Sequence, residues 1–64
     1  MNRLADRIEK AILELDLGIP MSRFKVDFIG AVNSALRHLG APALESLEDP
    51  TVLLRTALFL ESRV

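Results

Sequence analysis

The chain has 64 residues, which is one domain at most and close to the lower size limit for folding alone. Half are apolar, yet only three are aromatic, all Phe, and there is no Trp, Tyr or Cys; the core must be aliphatic, and disulfides and thiolate metal sites are excluded. Nine acids and eight bases, mixed along the chain, give a formal charge of −1, without the basic excess of a phosphate-binding face.

The opening segment, MNRLADRIEK, carries acids and lacks a continuous apolar core, so it does not read as a signal peptide. Asn2 is the expected N-cap of a first helix over about 2–17, and Gly18 with Pro20 is its stop. Within it Leu4, Ile8, Ala11 and Leu15 recur at helical spacing, widened by Ala5 and Ile12. Arg3, Asp6, Arg7, Lys10 and Glu14 cover the other side, with Asp6 and Lys10 placed for an i,i+4 ion pair. Leu13 and Leu17 point away from the main stripe.

A second helix is expected over about 22–39, capped by Ser22 and ended by Gly40, with Pro42 beyond. Phe24, Phe28, Ile29, Ala31, Val32, Ala35, Leu36 and Leu39 fill one arc. The opposite arc holds Asp27, Gly30, Asn33, Ser34, Arg37 and His38. The linker from Ala41 to Glu48 has room for one helical turn.

Asp49 followed by Pro50 predicts the start of a third helix over about 50–63, a capping carboxylate and then a proline at the first helical position. Leu53, Ala57, Leu60 and Val64 form one face; Leu54 and Leu58 lie to one side, and Val52 and Phe59 lie nearly opposite. Thin polar strips, one of Thr51, Arg55 and Ser62 and one of Thr56 and Arg63, separate them. A helix apolar on several sides is expected to be buried on several sides. The expectation is an all-α fold, a small bundle of three helices with short loops, in one domain over residues 1–64. No apolar run approaches the roughly 20 residues of a membrane span.

For so short a chain, apolar burial and conformational entropy come out nearly balanced. Other protein chains are therefore expected to cover part of the apolar surface. The candidate interface residues are Leu13, Leu17, Val52 and Phe59, joined by the polar Asn33 and Arg37.

No catalytic, cofactor-binding or metal-binding set is expected, and the chain does not read as an enzyme. Asp27, Ser34 and His38 share one stripe, but on a straight helix Asp27 and His38 stand about 16 Å apart at 1.5 Å per residue; a triad needs contacts of about 3 Å. His38 suits the negative end of a helix dipole. Glu45, Glu48 and Asp49 read as loop solvation and capping rather than a cation loop. Gly30, on the polar arc, is either a point of close backbone approach or simply a tolerated small residue.

The segments FKVDFIGAVNSALRHLGAP and DPTVLLRTALFLESRV resemble the head–tail connector (adaptor, or head-completion) proteins of long-tailed bacteriophages. The likeness rests on Asp27, Phe28, Ile29, Val32, Asn33, Ser34, Ala35, Leu36 and Gly40, and on the apolar run Leu54 to Val64 with its basic-apolar end. Members of that family are usually longer, with a larger insertion between these helices and a Pro-containing tail, so this chain reads as a minimal version. The resemblance implies a ring of identical copies, twelve-fold in that family, docked beneath the portal protein in the virion neck and assembled in the host cytoplasm. Its further partners would be a tail or stopper protein, and DNA passing through without specific binding; no membrane and no cofactor are implied. Extra apolar stripes suit a ring, whose contacts are heterologous. The alternative is a small helical dimeric regulator, of antitoxin or helix-turn-helix DNA-binding type. Against it, a recognition helix should present polar and basic groups, whereas the third helix offers mainly Leu, Val and Phe.

Overall fold

A computed structural model describes residues 3–64, all of them helix, turn or loop; the expected cap Asn2 lies outside the described residues. The described residues form a small helical bundle of four helices: α1 (Arg3–Leu15), α2 (Met21–Val26), α3 (Phe28–His38) and α4 (Pro50–Glu61). α1 packs chiefly on α4 and also on α3, while α2 packs on α3.

α1 is shorter than expected. It ends at Leu15 because Asp16 adopts a left-handed conformation, φ 54°, and its N–H reaches back to the Leu13 carbonyl. Such a conformation is strained for most L-residues, though Asp tolerates it better than most. The turn sends Leu17, now outside the helix, against the core. Gly18, at φ 80°, then completes the reversal at a place where a side chain would be strained.

The expected second helix is two helices, broken at Asp27. That residue sits at φ −150°, ψ 80°. Its N–H closes the last turn of α2 on Arg23, its carbonyl accepts from Ala31, and its carboxylate accepts from the Gly30 N–H at 3.0 Å. One aspartate thus ends α2 and caps α3. Nor does Ser22 cap α2: the helix starts at Met21, Pro20 holds the N-cap position, and no side-chain cap bond is made. Proline's fixed φ suits that entry without help from a hydroxyl. The apolar arc survives the break, because Phe24 and Phe28 still meet across it with ring centroids 6.0 Å apart.

α3 stops where the sequence indicates. Gly40 is left-handed at φ 72°, its N–H bonds the Arg37 carbonyl, and the Ala41 N–H bonds that of Leu36. These two bonds satisfy carbonyls that the helix end would otherwise leave open. The linker holds no helical turn, only bends. Asn33 secures it instead: its amide nitrogen donates to the Leu44 carbonyl at 2.9 Å, and its oxygen accepts from the Leu44 N–H at 2.8 Å. Ala41, Leu44 and Leu47 then pack against the core.

Asp49 caps α4 as expected, accepting from the Thr51 N–H at 2.9 Å with Pro50 in the first turn. The helix ends at Glu61, two residues earlier than expected, as the Arg63 N–H turns back to the Leu60 carbonyl. Only one face is fully buried, that of Leu53, Thr56, Ala57 and Leu60. Thr56 belongs to this face rather than to an outer polar strip. Its hydroxyl donates to the Val52 carbonyl at 2.7 Å, so the buried oxygen is satisfied within the helix.

The core joins Ile8, Ala11 and Ile12 of α1, Phe24 of α2, and Ala31, Val32, Ala35 and Leu36 of α3 to that face of α4. Four alanines among them let the helices approach closely. The radius of gyration is 10.3 Å, against about 10.7 Å from size scaling. The exposed surface is 4365 Å², within about a tenth of the roughly 4,100 Å² expected at this mass. The chain therefore closes a core of its own. Among the described residues no helix is long and apolar enough to cross a membrane.

Candidate interaction surfaces

α1 and α4 are locked by the one ion pair found among the described residues. The Arg7 guanidinium meets the Glu61 carboxylate as a fork, with Nε at 2.9 Å and the terminal nitrogen at 2.7 Å. A bidentate pair fixes orientation as well as distance. The hydrogen bond from Arg7 holds the Glu61 carboxyl below its usual range, and Glu61 in turn raises the Arg7 guanidinium. The expected Asp6–Lys10 pair does not form: both side chains extend into water, where such a contact is worth only a few tenths of a kcal/mol.

The interface candidates differ in their surroundings. Leu13, Leu17 and Phe59 are half-buried and pack against the core. The outer side of Phe59 carries the Arg63 guanidinium, 4.9 Å from the ring centroid. Val52 is half-buried too. Asn33 commits its amide to Leu44, and Arg37 is exposed on the last turn of α3.

Apolar exposure is greatest elsewhere. On α4, Leu54 and Leu58 are 42% and 53% exposed, one turn apart on the same side of the helix. On α2, Val26 is 86% exposed, with Met21 also in water. The sequence pattern placed Leu54 and Leu58 beside the apolar face of α4. Once Leu53, Thr56, Ala57 and Leu60 define the buried direction, helical geometry turns Leu54 and Leu58 outward. An open depression lies over α1, lined by Asp6, Glu9, Lys10, Leu13 and Glu14.

Asp27 and His38 stand at opposite ends of α3, and the Asp27 carboxylate is engaged as a cap. Among the described residues, no three His, Asp or Glu side chains gather as they would around a metal ion. What the surface offers is apolar side chains set among charges.

Compared with protein-family models, curated proteins and solved structures, the chain matches none.

Proposed function

We propose that this chain is a structural subunit that works by contact with other proteins and performs no chemistry, of the head–tail connector kind that its last two-thirds resembles. On this reading copies stand side by side on a portal ring in the virion neck, with a tail or stopper protein beyond them and DNA passing without specific contact. One observation carries it: the chain has closed its own core and still presents Leu54 and Leu58 in a row along α4.

Magnitudes favour a multivalent setting. Covering the half of a leucine still in water contributes about 1 kcal/mol, and a millimolar contact requires about 4 kcal/mol. Two leucines alone hold a partner weakly. Repeated around a ring, weak contacts add, since each one made raises the effective concentration for the next.

Co-sedimentation with purified portal rings of long-tailed phages tests the reading. The wild-type chain is expected to pellet with the rings, and Leu54→Lys/Leu58→Lys is expected to stay in the supernatant while remaining helical by circular dichroism. A wild-type chain that ignores portal but retards a DNA fragment in a gel would overturn the connector reading in favour of the regulator.

A further inference from the structure

We infer that the acid-rimmed depression on α1 is a docking site for the outer face of α2 of a second copy of this chain. The inference rests on the assembly reading above and names the two surfaces through which neighbouring copies would touch.

The depression is floored by Leu13 and rimmed by three carboxylates, Asp6, Glu9 and Glu14, with one ammonium, Lys10. An occupant that suits it is an apolar side chain flanked by cations. α2 presents that group. Among the described residues Val26 is the most exposed large apolar one, at 86%, with Arg23 one turn before it and Lys25 beside it, all in water. α2 itself, Met-Ser-Arg-Phe-Lys-Val, carries no acid. The neighbouring Asp27 has its carboxylate turned to the Gly30 N–H. Phe24 anchors α2 in the core, so its outer face is held on a fixed base rather than on a loose end.

Socket and knob lie on different helices of one molecule, so every copy carries both. On the ring reading the contact is heterologous: one copy's socket takes the next copy's knob and leaves a free knob and a free socket at the ends, growing to a ring or a filament. The outer face of a six-residue helix covers far less than the roughly 800 Å² per partner of a standard stable interface. The contact is therefore weak in dilute solution and sensitive to salt, because its charges sit at the rim.

Heteronuclear NMR of the full chain across a dilution series, at low and high salt, tests it. The expected result is concentration-dependent amide shifts confined to the α1 residues named above and to residues 22–26, fading as salt is added. Glu9→Lys/Glu14→Lys and Arg23→Glu/Lys25→Glu should each weaken self-association by about tenfold or more. Mixed in equal amounts, the two variants are expected to associate again, because the reversed socket of the first takes the reversed knob of the second and the unchanged socket of the second takes the unchanged knob of the first; all four reversals in one chain are expected to restore self-association as well. Shifts confined to α4, absence of shifts at the highest soluble concentration, or a four-fold reversed chain that stays monomeric would overturn the inference. Portal binding by a chain that shows no α1 and α2 shifts would sink this contact alone. The shifts without portal binding would sink the connector reading and leave the contact standing.

Discussion

Gly30 looks replaceable from the sequence alone, since Ala in a helix is usually better than Gly by about 1 kcal/mol. In the structure a Cβ at Gly30 would fall within 2.6 Å of Asp27 Cγ and closer still to a carboxylate oxygen. The carboxylate would have to swing away and release the Gly30 N–H, at the cost of a cap worth about 1 kcal/mol. The two effects nearly cancel. Gly30→Ala is thus expected to leave stability almost unchanged in the wild type, yet to stabilise an Asp27→Ala background by up to about 1 kcal/mol. A double-mutant cycle by urea unfolding reads the coupling; equal effects in both backgrounds would show that the carboxylate does not occupy that space. Asn33 is a second residue whose role is internal. Asn33→Ala removes both bonds to Leu44 and leaves a half-buried N–H and carbonyl without that partner. A loss of about 1–3 kcal/mol is expected, with hydrogen exchange at the Leu44 amide rising towards that of an open loop.

At the scale of the element, the pairing of α1 with α4 carries a pH signature. Glu61 in the folded chain titrates below its usual value of 4.5. A lowered carboxyl stabilises the fold fully above its unfolded value, and that contribution disappears as pH falls through the folded value. Unfolding midpoints of wild type and Glu61→Gln should therefore differ at neutral pH, with wild type higher, and converge on acidification below about 4.5. The gap should also narrow with salt, because both side chains are more than a third exposed. A gap that is independent of pH would mean that the fork does not form in solution.

The same scale shows what could be read in advance. The α4 start was legible because Asp49 and Pro50 act locally, and so was the α3 stop, because Gly40 answers a backbone requirement. The break at Asp27 was not. Its apolar arc runs on unbroken from Phe24 to Leu39, and periodicity reports which residues face the core, not whether the axis is continuous. The available signal was local: an Asp with a Gly three residues on. The end of α1 was missed for another reason, since Leu17 reaches the core from a turn rather than from the helix. Arg7 and Glu61 lie too far apart in sequence for any local pattern to pair them. The interface candidates illustrate the remaining gap. Leu13, Leu17 and Phe59 pack partly inward while Leu54 and Leu58 face water, a distinction set by the direction of burial on each helix and therefore by the packing of all four.

At the scale of the whole molecule, a chain of this length is expected to hold roughly 3–10 kcal/mol of folding stability. Its surface and radius are those of a domain that has buried a normal share of itself. Folding and assembly are then separable: one set of leucines holds the core, and another is left for partners. Leu60, fully buried, belongs to the first set; Leu54 and Leu58 belong to the second. Lys matches Leu closely in helix propensity, and its stem can lie along the same apolar surface with the ammonium in water. Equilibrium urea unfolding of Leu54→Lys/Leu58→Lys beside Leu60→Ala separates the two sets most directly. The double lysine variant should lose no more than about 1–2 kcal/mol, and Leu60→Ala about 2–5 kcal/mol. A double lysine variant that unfolds as readily as Leu60→Ala would contradict it, because those two leucines would then belong to the chain's own core.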